Sequence, residues 1–445
     1  MEGGERTSAV RLCCLRRADV NKLLFTYYGD DFTGSTDALE ALAANGVRTA
    51  LFLGTPDQRD LEEFAGYRAI GIAGESRSRD PEWMEQFLPE KFRWLRSLGA
   101  PICQYKVCST FDSSPQIGNI GVAMRIGREV FDSKCVPVVV AAPHLGRYVL
   151  FGHLFAAAGG DEVHRIDRHP TMQRHPITPM HESDLRIHLA KQAPAAIELL
   201  DILALTGGNA STAMERLVLN NPTIILFDGL NHRSGLETGR LLWINRREHP
   251  FVAGSSGLTH ALILHWREAG LIPASFSPAE ARPADRIIVV SGSCSPMTEM
   301  QINCAMQTGF EGLHTAGLTA NELLDQGVDV LARGRSLVVY SALGPQKLGG
   351  SLAGEALGRY LGTVLRELVS KTGVRRTVIA GGDTASHAAS QLGIHALTFA
   401  AVMAPGAPLC RAHSNDPLMD GLELVLKGGQ VGGNDFFEKV LKGRT

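Results

Sequence analysis

An apolar and aromatic pattern over residues 23–28 leads into Gly29-Asp30-Asp31-Phe32-Thr33-Gly34-Ser35-Thr36-Asp37. From there Ala38, Leu39, Ala41 and Leu42 recur at helical spacing as far as Gly46, and a second short apolar run follows at 49–53. The pattern predicts strand, small-residue turn, helix and strand. This is the βαβ unit of a parallel sheet, which places chemistry at the carboxyl ends of its strands. Further runs predict strands at 67–73, 102–107, 136–142, 197–203 and 223–227, and a helix over 184–192 with Ser183 as its expected N-cap.

Periodicity breaks at 271–286, where Pro273, Ser275, Ser277, Pro278 and Pro283 gather as in an interdomain linker. The expected division is an extension at 1–22, a first domain at 23–280 and a second at 281–445. The second domain repeats one theme. Apolar runs at 286–290, 376–380 and 422–426 enter Ser291-Gly292-Ser293-Cys294-Ser295-Pro296, Gly381-Gly382-Asp383-Thr384-Ala385-Ser386 and Lys427-Gly428-Gly429-Gln430-Val431-Gly432-Gly433. A helix is expected from about Asp435.

Composition narrows the classes. With 445 residues, 44% hydrophobic and 20% charged, the chain has ordinary globular composition and length for two or three domains. Lys plus Arg number 44 against 46 Asp plus Glu, so the bulk charge offers nothing to a nucleic acid. The longest mostly apolar runs, 135–143 and 396–410, fall short of a membrane span of about 20 residues. Near the start, Arg6, Arg11, Arg16 and Arg17 flank an apolar core too short for a signal peptide. Eight cysteines without a C-x-x-C pair point to a reduced, cytoplasmic setting.

A helix start offers unpaired N–H groups and partial positive charge, and glycine or serine lets a phosphate come close. One such loop is more often a tight turn. Three at one sheet edge point to a nucleotide or a phosphorylated ligand. Neither G-x-x-x-x-G-K-[ST] nor a G-x-G-x-x-G after a strand occurs, which excludes a P-loop kinase and disfavours a nicotinamide dehydrogenase. Asp30 and Asp31 stand where the first strand ends, and the residues alone leave three roles open for them: proton acceptor, cation ligand or helix-entry acid. His164, Arg165, Asp167, Arg168, His169, Arg174, His175, His181 and Glu182 form a dense polar segment whose histidine spacing does not suit zinc, and no metal ligands are assigned. Lys106, Cys108, Ser109 and Thr110 end another strand, and His144, Gly146 and Arg147 a third. Cys108 has no paired base and reads as an inert buried thiol.

Gly29-Asp30-Asp31-Phe32-Thr33-Gly34, Thr178-Pro179-Met180-His181-Glu182-Ser183-Asp184, Ser291-Gly292-Ser293-Cys294-Ser295, Gly381-Gly382-Asp383-Thr384, Pro405-Gly406-Ala407-Pro408 and Lys427-Gly428-Gly429 occur in this order. Together the set resembles the four-carbon acid sugar kinase family over about residues 24–440. The resemblance implies an α/β fold of two α/β domains with largely parallel sheets, substrate-binding and nucleotide-binding, with the active-site cleft between them. It also implies ATP-dependent phosphorylation, with Mg²⁺, of a small-molecule acid sugar: threonate, erythronate, their 3-oxo forms or the branched 3-oxo-isoapionate. By similarity Ser291, Ser293, Gly381, Gly382, Asp383, Thr384, Gly429 and Gly432 would bind ATP. Asp30, Asp31, Lys106, Ser109, Thr110, His175, Glu182, Ser183 and Asp184 would face the substrate, with Asp31 as base.

The family often reads Lys-x-Asp-Ser-Thr-x-Arg-Gly-Asn where this chain has Cys108 for Asp and Asp112 for Arg. A carboxylate in place of a cation is expected to repel an anionic substrate and to favour a substrate other than plain tetronates. The alternative is a non-catalytic sensor on the same scaffold, against which Asp30 and Asp31 stand intact. A homo-oligomer is left open.

Overall fold

The computed structural model describes residues 22–158, 162–175, 177–344 and 354–445, without the side chain of Asp383. The expected extension therefore lies, but for its last residue, outside the described residues.

The first half carries strands β1 (Phe25–Gly29), β2 (Thr49–Phe52), β3 (Ala69–Ala73), β4 (Cys103–Lys106) and β5 (Val136–Val139). Then come β6 (Arg147–Leu150), β7 (His153–Ala157), β8 (Val163–Arg165), β9 (Ile197–Leu200), β10 (Ile224–Phe227) and β11 (Phe251–Gly254). The second half adds β12 (Ile288–Ser291), β13 (Glu311–His314), β14 (Leu337–Tyr340), β15 (Arg376–Ala380), β16 (Ala396–Ala404), β17 (Ala407–His413) and β18 (Glu423–Lys427). Fifteen strands form one sheet in the order β13-β14-β12-β15-β18-β17-β16-β2-β3-β1-β4-β11-β5-β10-β9, and β6-β7-β8 form a small antiparallel sheet. Pairing is parallel except around β16 and β17, so the fold is α/β and largely parallel.

The expected strands are present, most of them shorter, while 376–380 is observed with its expected bounds and 422–426 at equal length, one residue later. Where 197–203 reads as one apolar run, the strand ends at Leu200 and Asp201 caps a short helix, Ile202–Thr206, by accepting from the Ala204 N–H. The helix expected over 184–192 is Leu185–Ala190, and its N-cap is Asp184, not Ser183. The Asp184 carboxylate accepts the Arg186 N–H, whereas the Ser183 hydroxyl meets His153 Nδ1 at 3.0 Å.

Strands such as β1 and β4 are buried along their whole length, as in a parallel sheet covered by helices on both faces. The apolar run at 396–410 belongs to the β16–β17 hairpin, whose turn holds Pro405 and Gly406. This hairpin joins the halves: β16 pairs antiparallel with β2 through Ala396↔Phe52, Leu397↔Leu51 and Thr398↔Ala50. The helix Phe32–Ala43 lies under it, and one buried apolar cluster runs from Leu39 and Trp266 to Leu361 and Leu426. The segment 271–286 is irregular and pinned, with Arg68 donating to the Leu271 carbonyl at 2.7 Å. Among the described residues no helix is long and apolar enough to cross a membrane.

Candidate active site

β1 and β4 lie side by side, so the residues after them meet. The Asp30 N–H donates to the Lys106 carbonyl at 2.9 Å. The Asp30 carboxyl is buried, and its Oδ1 has no hydrogen-bond partner. Burial, and then the neighbouring Asp31 carboxylate, push it up to about 7 against the pull of Arg77 and Lys106. Asp31 is the N-cap of the helix Phe32–Ala43: its Oδ1 accepts the Gly34 N–H and its Oδ2 the Thr33 hydroxyl, each at 2.7 Å. Of the roles left open by composition, the structure shows the helix cap.

Lys106 is fully buried, with Nζ 3.2 Å from Asp37 one turn along the helix. Burial alone would lower its pKa, but the carboxylates of Asp37, Asp30 and Asp31 raise it, so it is a held ammonium. Arg77, just after β3, reaches Asp31 at 3.4 Å and Asp112 at 2.6 Å.

Asp112 does not act as expected. Its side chain is wholly inaccessible and receives hydrogen bonds from Arg77, Thr110 and Thr178. Burial would raise its pKa, but Arg77 and the Thr110 hydroxyl hold it down at about 2. Its charge is paired internally with Arg77 and not left open. The other departure, Cys108, is only partly buried, with Sγ 2.9 Å from the Thr110 hydroxyl. The fields of Arg77, Lys106 and Arg147 reach the thiol.

Of the remaining expected residues, Ser109 is half-buried beside Thr110. His175 joins the group through Thr178, whose hydroxyl lies 3.0 Å from His175 Nδ1 and 3.3 Å from Asp112. Glu182, Ser183 and Asp184 form a separate network: Glu182 accepts the Asp184 N–H, Ser183 meets His153, and Asp184 pairs with Arg186 at 2.6 Å. No hydrogen bond ties them to Asp30 or Asp31 among the described residues. Sequence reasoning missed Arg77, and Asp37 as the Lys106 partner. It also missed the pairing of His144 with His260, whose rings lie 3.9 Å apart in the field of Asp37. The strand-end rule could have found Arg77, which follows β3.

In the second half, β12, β15 and β18 are neighbours, so their three loops converge. A Cβ on Gly292 would lie 2.3 Å from Thr384 Oγ1, and one on Gly429 would lie 3.0 Å from Ser293 Oγ. Glycine here is the condition for close approach. Ser291 Oγ accepts the Ser293 N–H, and Ser295 caps the helix Pro296–Gln307. Gly381, at φ 118°, begins the helix Gly382–Ala389 with no side-chain cap, and among the described residues the N–H groups of Gly382, Asp383 and Thr384 find no partner. The Asp383 side chain lies outside what is described. Gly432 stands apart, turning at φ 84° against Phe436.

Residues 25–262 match the model of a sugar-binding N-terminal domain, and residues 288–437 that of a nucleotide-binding C-terminal domain. The chain belongs to the four-carbon acid sugar kinase family. A relative called 3-oxo-isoapionate kinase, from Paraburkholderia graminis, is 46% identical, covering 95% of each chain. A 3-oxo-tetronate kinase from Cupriavidus necator is 31% identical over 93% of this chain and 95% of its own. A solved Salmonella typhimurium LT2 protein superposes with a TM-score of 0.75 at 26% identity, covering 94% of this chain and 98% of its own. In this four-carbon acid sugar kinase family member, the acidic group lies in the sugar-binding half and the three converging loops in the nucleotide-binding half.

Proposed function

We propose that the chain is an ATP-dependent kinase phosphorylating a hydroxyl of a small acid sugar, and that the acid is a branched, oxidised one of the 3-oxo-isoapionate kind. The observation that carries this is the packing of two helices, each opened by one of the candidate groups. Asp31 opens the helix Phe32–Ala43, Gly381 opens Gly382–Ala389, and these helices pack on each other. One start is ringed by carboxylates and buried cations suited to a polyhydroxy acid, and the other by bare N–H groups suited to phosphates.

Phosphoryl transfer asks mainly for alignment and charge neutralisation. Asp31, whose side chain is 14% exposed, accepts the hydroxyl proton, with Asp30 behind it. Lys106, Arg77 and Arg147 around Cys108 attract the acid's carboxylate, while Ser109, Thr110 and His175 orient its hydroxyls. Ser291, Ser293, Gly381, Gly382, Thr384 and Gly429 cradle ATP. Among the described residues no three His, Cys, Asp or Glu side chains form a metal cage. Magnesium would therefore come with the nucleotide, ligated by phosphate oxygens and water, as suits this strongly hydrated ion. Two features support the substrate: the 46% identical relative, and Cys108, where an acid would cancel part of the cationic field. A division near residue 280 and a cytoplasmic setting, where ATP is supplied, belong to this proposal.

A coupled ADP-release assay with Mg-ATP tests it on 3-oxo-isoapionate, 3-oxo-tetronates, D- and L-threonate and D-erythronate. The expected result is turnover highest on the branched oxo acid, reduced at least 100-fold in Asp31→Asn, a loss of the size general-base removal brings. Turnover highest on D-threonate or D-erythronate would overturn the substrate, and ADP binding without any turnover would favour the sensor.

A further inference from the structure

Under the third glycine loop lies a cation to which the proposed chemistry gives no task. Lys427 ends β18 with its side chain fully buried. Its Nζ donates to the Gly428 carbonyl at 2.9 Å, the Thr298 hydroxyl at 3.1 Å and the Gly429 carbonyl at 3.4 Å. The Thr298 hydroxyl itself donates to the Gly429 carbonyl at 2.9 Å. Gln301, one turn further along the helix Pro296–Gln307, donates through Nε2 to the carbonyls of Val431, Gly432 and Gly433 at 2.9–3.2 Å. The loop's carbonyls are thus gathered inward on one ammonium and one amide. The N–H groups of Gly429, Gln430, Gly432 and Gly433 make no hydrogen bond within the described residues. Carbonyls inward and N–H groups free is the arrangement of an anion-binding nest, and Gly429 borders Ser293 and Ser295.

Among the described residues the ammonium has no counter-charge: on the helix Phe32–Ala43, which also packs on β18, Asp37 pairs with Lys106 and Glu40 accepts from Gly406. On β18, Glu423 is at the far end, paired with Arg376 of β15. On the helix Phe436–Lys442 and at its start, Glu438 pairs with Lys442 and Asp435 with Lys439. On the helix Pro296–Gln307, Glu299 is beside Gly344. β17 carries Cys410, Arg411 and His413, the last paired with Glu63, and Phe436 faces the ammonium at 5.9 Å from its ring centroid. Every oxygen that touches Nζ is neutral. Burial without compensation lowers Lys427 from the usual lysine range to about 7.

We infer that Lys427 is a proton-linked counter-charge for the nucleotide: ATP phosphates on the outer face of the Gly428–Gly433 loop draw a proton from solvent onto the buried amine, which never touches them. Lys427 is then a positioning residue, holding the loop's carbonyls inward and supplying charge when phosphates arrive. The inference rests on the loops being the ATP site. Proton uptake makes binding weaken as pH rises: with a free pKa near 7 and a much higher bound one, affinity falls roughly fivefold between pH 7 and 8.

Isothermal titration calorimetry of the whole chain with a non-hydrolysable Mg-ATP analogue, from pH 6.5 to 8.5 in buffers of different ionisation enthalpy, counts the protons taken up. The wild-type chain is expected to take up nearly one proton per nucleotide at pH 8.5. Lys427→Met should bind more weakly at every pH with this uptake gone, and Lys427→Arg should bind with a flat pH profile. A merely structural lysine would give weaker binding in both variants with the linkage unchanged. Wild-type binding without proton uptake overturns the inference even if neither variant folds, and leaves the nucleotide site standing. No binding in the wild-type chain overturns both.

Discussion

Asp30 puts its carboxyl in the dry end of β1, leaves one oxygen without a partner and keeps a proton up to about pH 7. An unfolded aspartate titrates near 3.8, so between about pH 4 and 7 the native state binds the extra proton. This group's contribution to stability therefore falls with rising pH across that window and is level above it. Asp30→Asn keeps the shape and removes the buried charge. The variant is expected to melt a few degrees above the wild-type chain at pH 8, with the gap closing toward pH 4, while turnover falls. Melting curves at pH 4.5, 6 and 8 measure the gap; no gap at pH 8 would mean that Asp30 is not the strained group described. At the same scale lies the limit of the sequence. Asp30, Asp31 and Lys106 were legible because they follow apolar runs. The neutralisation of Asp112 by Arg77, across 35 positions, and the burial of Lys427 under its own loop depend on folding and leave no local mark.

Among the elements, the β16–β17 hairpin was the least legible. Its residues read as one apolar run because strand pairing is non-local, and β6–β8 went unread for the same reason. The motif Pro405-Gly406-Ala407-Pro408 turns out to be its tip, where the Gly406 N–H donates to Glu40 Oε2 at 2.8 Å on the helix that Asp31 opens. Burial, then Asp37, raise the Glu40 carboxyl to about 8, so at neutral pH it is a largely protonated acid accepting through its carbonyl oxygen. Glu40→Ala should free the tip and lower kcat/KM about tenfold or more through lost alignment, whereas Glu40→Gln, which keeps a neutral acceptor, should stay near wild type. Steady-state kinetics at pH 7 decide this. Equal losses in both variants would assign the effect to charge and not to the bond.

Across the whole molecule, the buried cluster that crosses both halves and the β2–β16 pairing leave no dry boundary at which one half could melt alone. A single calorimetric unfolding transition is expected, and saturating Mg-ATP should raise it as one peak. Two resolved peaks, with only the upper or lower moved by nucleotide, would show the halves to be energetically separate. A sheet shared in this way also limits how the cleft can work. Between the groups proposed to hold acid and nucleotide stands the β16–β17 ribbon, with register shifts between Phe399 and Ala401 and between Ala401 and Ala404. Bulged two-stranded ribbons are the most easily twisted part of a sheet. The ribbon is thus the place in the shared sheet where a twist of one half against the other would concentrate.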